Sequence, residues 1–192
     1  MNLGQMMLVV VALSILGILV LTANKSVLSS SEVTEDSDFG ITAVSLATSI
    51  AEEALGQYYD QNCLTGAADS LALYTPPGSL GPGGGEKFAS STTRFNDFDD
   101  YNGLFVVYKS DNPNDNTPVA GADTIITVPG LRSRYYVKAT VGYVDNLDPS
   151  GSYLSTTSYT KRMDIKVWRP APPGVSSKKD TLWYPVVMSY WR

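Results

Sequence analysis

The amino-acid sequence predicts an α+β protein: one long N-terminal α-helix, hydrophobic in its first half, packed on a C-terminal antiparallel β-sheet. Three observations predict it. Residues 1–24 hold no charged side chain and are rich in Leu, Val, Ile and Met. From Ile41 apolar and small residues recur at steps of three or four, the period of a helix face. Between Gly103 and Trp191 five segments are rich in β-branched and aromatic residues, which is the composition of strands.

The first element is the apolar helix, assigned to residues 1–25. At about 1.5 Å per residue, Met6 to Leu21 alone makes ~24 Å of apolar rod, and the whole stretch approaches the ~30 Å core of a bilayer. A secretory signal peptide combines a basic start, a shorter apolar run and a small-x-small cleavage site. Here Lys25 is the first basic group, and Leu21 to Ala23 fits that cleavage pattern badly. The segment is therefore expected to span a membrane or to be covered by other protein, because so much apolar surface does not stay in water.

Residues 26–62 are read as the amphipathic continuation of the same helix. Ser26 to Gly40 carries three consecutive serines and four acidic residues, so helix propensity is weak and the helix is expected to thin there. Asn24-Lys25-Ser26 matches a glycosylation sequon, a pattern common by chance. The stripe then resumes with Ile41, Val44, Ala47, Ala51, Ala54, Leu55 and Tyr58. Its small residues predict close approach to a sheet or to other helices, with Glu52 and Glu53 on the polar side.

Residues 63–192 are read as a loop region followed by the sheet. Pro76-Pro77-Gly78 and the run Gly81 to Gly85 break any helix. The strands are placed at Gly103–Ser110, Thr124–Val128, Arg134–Asp145, Tyr159–Arg169 and Thr181–Trp191. In the third, Tyr135, Val137, Ala139, Val141 and Tyr143 share one face while Lys138 and Thr140 take the other, as a half-buried antiparallel strand requires. Met163, Ile165 and Val167 repeat this against Arg162, Asp164 and Lys166. The segment Asn146 to Ser158 joins the two as a long hairpin loop.

The N-terminal pattern resembles the mature amino terminus of type IV pilins and pseudopilins. Those subunits begin with an N-methylated apolar residue, carry Leu at the third position and a polar residue, usually Glu, at the fifth, and then run apolar for about five turns. Met1, Leu3, Gln5 and the stretch from Met6 onward occupy those places. The departure is Gln5, since an amide accepts a hydrogen bond from a neighbouring amino terminus without the charge-assisted strength of a carboxylate. Met1 is read as the mature terminus, its leader lying outside this sequence. A second register, with cleavage between Gly4 and Gln5, resembles archaeal pilin processing sites and ranks lower, because it would leave a very short leader without a basic group. The order helix, loop, sheet is also shared with pilin subunits.

Phe95 to Leu104 (FNDFDDYNGL) resembles an Asp-rich aromatic stretch in pilin-like proteins of the mannose-sensitive haemagglutinin type. Its physical content is a turn at Asn102-Gly103 opening into an apolar strand. Clustered oxygen ligands suit Ca²⁺, yet the spacing is not that of an EF-hand loop. Both this cluster and the second one, Asp111, Asn114, Asp115 and Asn116, are read as solvated turns, and no metal is assigned.

Composition narrows the function classes. The net charge of −5 has the wrong sign for nucleic-acid binding, which calls for a basic face. Cys63 is the single cysteine, so it forms no internal disulfide and is read as a small buried hydrophobe. The chain has no His, the commonest general base and metal ligand, and it lacks nucleophile and phosphate-loop motifs. No enzyme activity and no cofactor are expected. Trp168, Trp183 and Trp191 are assigned to the sheet core or a subunit interface rather than to sugar stacking.

The resemblance implies a structural subunit of an extracellular filament at the cell surface, with a cytoplasmic-membrane pool before assembly. It polymerises with copies of itself through the apolar helix, with Met1 and Gln5 setting register, and depends on a prepilin peptidase and a pilus assembly machinery. The alternatives are a membrane-anchored monomeric binding module and a minor pseudopilin of a secretion system.

Overall fold

The computed structural model describes residues 3–63, 70–112, 119–170 and 180–190. Helix α1 runs unbroken over Leu3–Leu55. Strands β1 (Phe105–Lys109), β2 (Thr124–Thr127), β3 (Tyr135–Tyr143), β4 (Thr160–Trp168) and β5 (Thr181–Ser189) form one five-stranded sheet in the order β2-β1-β3-β4-β5. The chain divides into two compact units, Met1–Ile41 and Thr42–Arg192.

The first unit is helical throughout its described residues, and the expected thinning over Ser26–Gly40 does not occur. Side-chain hydroxyls bond back to the carbonyl one turn earlier. Ser14 Oγ donates to Val10 O at 2.9 Å, Thr22 Oγ1 to Ile18 O at 2.8 Å, Thr34 Oγ1 to Ser30 O at 2.9 Å and Ser37 Oγ to Val33 O at 2.8 Å. Hydroxyls satisfied by their own helix neither pull the backbone into turns nor leave bare polar atoms in the apolar stretch.

In the second unit the last turns of α1 pack on the sheet through Ala43, Ala47, Ile50, Ala51 and Ala54, all buried. This corrects the face read from the sequence: Ala47, Ala51 and Ala54 lie on it, but Ile41, Val44, Leu55 and Tyr58 are exposed. Four small residues and one Ile admit the helix closely, whereas the larger residues on the expected stripe would hold it away. The helix also stops before residue 62. Gly56 N donates to Glu52 O and Glu53 O, and after it the chain makes a parallel bridge between Tyr58 and Asp97.

The five strands form where β-branched and aromatic composition placed them. Tyr135, Val137, Ala139, Val141 and Tyr143 of β3 and Met163, Ile165 and Val167 of β4 are buried. Strand pairs β1–β3, β3–β4 and β4–β5 are antiparallel, with Val137 opposite Val167 and Ile165 opposite Tyr184. The pair β1–β2 is parallel, with Val106 opposite Thr124 and Tyr108 opposite Ile126. The long segment between Lys109 and Thr124 permits this, since a parallel partner requires the chain to travel back before pairing.

Gly103 turns the chain into β1 with φ at +86°, a value that side chains disfavour. Its N–H donates to Ala139 O at 3.1 Å, locking the Asn102-Gly103 turn onto β3.

Candidate functional site

Three regions carry the chemistry. The first is the apolar half of α1. Every described side chain from Leu3 through Ser37 is exposed within the chain, and the segment is long and apolar enough to cross a membrane, with none of its apolar window buried. Gln5 lies on the exposed first turns of this helix. Met1, its expected partner in assembly, lies outside the described residues.

The second region is a buried ionic cluster that the sequence did not reveal. Lys161 sits on the inward side of β4, in the same alternation as Met163, Ile165 and Val167. Its Nζ donates to Asp99 Oδ1 at 2.6 Å, Asp60 Oδ2 at 3.0 Å and the Tyr59 carbonyl at 2.8 Å. The side chains of Lys161 and Asp60 are 0% exposed and that of Asp99 3%. The ammonium also faces the rings of Tyr59 and Tyr143, 4.5 and 5.2 Å from their centroids, a favourable placement for a cation in a dry site.

The turn after α1 assembles this cluster. Phe98 N donates to Tyr58 O at 2.8 Å and Tyr58 N to Asn96 O at 3.2 Å, which lays Tyr59-Asp60 beside Asp97–Asp99. Asp60 is then fixed by Asn62 N at 3.1 Å, Thr75 N at 2.9 Å and the Thr75 hydroxyl at 3.1 Å. Asp97 Oδ1 accepts from the backbone N–H groups of Asp99 and Asp100, both at 3.0 Å. Asp100 Oδ2 in turn accepts from Asn96 N at 2.8 Å and Asp97 N at 3.2 Å.

These acidic side chains are therefore not the solvated turn that the sequence suggested: Asp97, Asp99 and Asp100 are buried. Burial raises the Asp97 carboxyl to about 8, with the Asp99 and Asp100 charges adding to it against the opposing pull of Lys161. Asp99 is also raised, first by burial, with Lys161 opposing. A cleft of about 610 Å³ opens onto the cluster, lined among others by Thr75, Glu86, Asn96, Asp97 and Asp99. Among the described residues no group of three or more His, Cys, Asp or Glu is arranged to hold a metal ion. Of the second acidic cluster, Asn114, Asp115 and Asn116 lie outside the described residues.

Around the cluster, Tyr59, Tyr74 and Tyr143 form a buried knot against which Cys63 and Tyr190 pack. Cys63 is half-buried and unbridged, and burial pushes its thiol up.

The third region is the outward face of the sheet. Here Phe105, Tyr136 and Trp168 stack across β1, β3 and β4, with Trp168 5.5 Å from Tyr136 and 6.0 Å from Phe105. Lys138 lies opposite Lys166, and Lys166 opposite Trp183. Trp183 is 69% exposed, so a core role does not hold for it; Trp191 lies outside the described residues. Trp183 borders a groove of about 720 Å³ that also takes in Arg162, Asp164 and Val187. Arg162 pins the 146–158 loop here, donating to Pro149 O at 2.9 Å, Gly151 O at 2.7 Å and Asp164 Oδ2 at 3.1 Å.

Comparison of the chain with protein-family models, with curated proteins and with solved structures finds no match.

Proposed function

We propose that this protein is a structural subunit of a type IV pilus-like extracellular filament that polymerises through its N-terminal hydrophobic helix. The observation that carries the reading is the contrast within α1. Its apolar half is exposed along its described length, while the unit from Thr42 onward closes a core of its own. A surface of that size and apolarity demands lipid or other protein. Copies of the same helix, bundled side by side, satisfy both its backbone and its side chains, so one fold serves in the membrane and in the fibre.

In this reading the helix waits in the cytoplasmic membrane and is drawn into a helical core. There the Gln5 amide and the Met1 amino group of a neighbouring copy help to set register. The resemblance implies a prepilin peptidase and a pilus assembly machinery as partners, the machinery supplying the energy for extraction. The sheet unit then forms the outer surface.

A second reading, a membrane-anchored binding module acting as a monomer, is favoured by the groove around Trp183. An exposed indole beside an Arg–carboxylate pair is a feature of recognition surfaces. Electron microscopy of material sheared from the native cell surface, with mass spectrometry of the fibres, separates the two. Uniform fibres built from this chain are expected. A chain found solely as a detergent-extracted membrane monomer overturns the filament.

A further inference from the structure

We propose that Lys161 and Asp99 condense into an intramolecular amide, an isopeptide bond that ties strand β4 to the Asp99–Tyr101 turn. The proposal rests on the buried cluster alone and stands whether or not the chain forms filaments.

The reacting groups are already in contact. Lys161 Nζ lies 2.6 Å from Asp99 Oδ1, and neither side chain is open to solvent. The contact is to an oxygen one bond from the Cγ that Nζ attacks, and groups that reach a near-attack geometry act at effective concentrations of roughly 10⁵–10⁸ M, which offsets the ordinary reluctance of an amine and an acid to condense. Condensation also discharges an ion pair in a site where two charges pay a desolvation cost. The rings of Tyr59 and Tyr143 flank the amine, 4.5 and 5.2 Å from Nζ to their centroids.

Asp99 rather than Asp60 is the acceptor. Each oxygen of Asp60 takes a backbone N–H, from Asn62 or Thr75, and the Thr75 hydroxyl adds a third donor. These three contacts fix the orientation of Asp60, which lies 3.0 Å from Nζ against 2.6 Å for Asp99. Asp99 is the nearer carboxylate, its carboxyl is raised by burial against the pull of Lys161, and its N–H donates to Asp97 Oδ1 at 3.0 Å, which sets Asp97 beside it.

The step balances within the cluster. Lys161 passes one proton to Asp99, giving a neutral amine and a neutral acid. The Nζ lone pair attacks Asp99 Cγ and the C–N bond forms. Asp60, 3.0 Å from Nζ, takes the second proton from nitrogen while Asp97 gives its proton to the departing hydroxyl. The C–O bond breaks, water leaves through the cleft that Asp97 and Asp99 line, and the proton on Asp60 returns to Asp97. Net, an ammonium and a carboxylate become an amide and one water, with no oxidant or co-reactant.

The test is peptide mass spectrometry on the full-length protein isolated in its folded state and digested with trypsin after denaturation. The expected product is a branched peptide joining the segment that contains Asp99 to the segment that contains Lys161, lighter than the two together by one water and resistant to cleavage after Lys161. Asp97→Asn, which keeps the Oδ1 acceptor but loses the acid, is expected to fold by circular dichroism and to yield the unlinked peptides. A wild-type digest that releases a linear peptide ending at Lys161, with an amine that acylates fully, overturns the proposal. A branch at Asp60 overturns the assignment of Asp99, and wild-type linkage in Asp97→Asn overturns the part given to Asp97.

Discussion

Lys161 Nζ and Asp60 Oδ2 meet at 3.0 Å across 101 residues of chain, with neither side chain exposed. This contact fastens the turn after α1 to β4, and Asp99 joins it from the other side at 2.6 Å. In the uncondensed, ion-paired state one cation thus serves two buried carboxylates and a backbone carbonyl, so replacing Lys161 removes that cation together with any amide it forms.

Lys161→Met is accordingly expected to cost about 3–5 kcal/mol, the range for removing one partner of a buried ionic group. The methionine fills the volume of the lysine stem but leaves Asp60 and Asp99 uncompensated. Urea unfolding of the full chain followed by tyrosine fluorescence measures the loss. An unchanged midpoint and slope would show that the cluster contributes no net stability.

Asp97 sets a pH dependence whose sign follows from its raised carboxyl. The folded state holds the Asp97 proton up to about 8, whereas the unfolded chain releases it near ~4. Between these values the folded state binds more protons, so this group's contribution to stability declines as pH rises and is lost above the folded value. Asp97→Asn keeps the acceptor for the N–H groups of Asp99 and Asp100 and removes the titration. Denaturant midpoints at pH 5 and pH 8.5, taken on both proteins, should fall less for the variant. Equal declines would remove Asp97 as their source.

Gly142 is required by a side chain rather than by its own backbone. A Cβ built there would meet Tyr153 Cδ1 at 2.5 Å, because the Tyr153 ring lies across β3 while its hydroxyl donates to Asp164 Oδ2 at 2.5 Å and Arg162 stacks 4.7 Å from the ring. Gly142→Ala is expected to destabilise by about 1–3 kcal/mol, as overpacking does. Gly142→Ala combined with Tyr153→Ala should cost less than the sum of the single changes in a double-mutant cycle. Additive losses would place the strain elsewhere.

Much of this architecture was legible before the structure. A charge-free apolar run and five segments rich in β-branched and aromatic residues, two of them alternating, marked α1 and all five strands, because period and composition are local properties. The direction of β2 was not legible, since alternation reports which side chains share a face and says nothing of which way the neighbour runs. The packed face of α1 was misplaced because Ala43 gives a weak signal beside the larger but exposed Ile41 and Val44.

The ionic cluster was missed for a related reason. Lys161 has the parity of Met163, Ile165 and Val167, and that parity was the available signal, but a lysine is almost never fully buried unless paired. Its partners, Asp60 and Asp99, lie far away in sequence, so nothing local marked them. The same long-range pairing turned the Asp97–Asp100 segment from an expected solvated turn into core.

Gln5 provides the prediction that bears on assembly. In the proposed filament, a carboxylate at this place would pair with a neighbour's amino terminus by a charge-assisted bond; the amide offers an oxygen acceptor and no charge. Gln5→Leu removes the acceptor yet keeps the helix apolar and insertable. Expected is a sharp fall in filament yield from intact cells with an unchanged membrane pool, read by immunoblotting sheared and membrane fractions. Gln5→Glu should restore or exceed the wild-type yield, since it adds charge to the same contact. Wild-type yield in Gln5→Leu would remove Gln5 from assembly, and an unstable membrane pool would instead assign its effect to insertion of the helix.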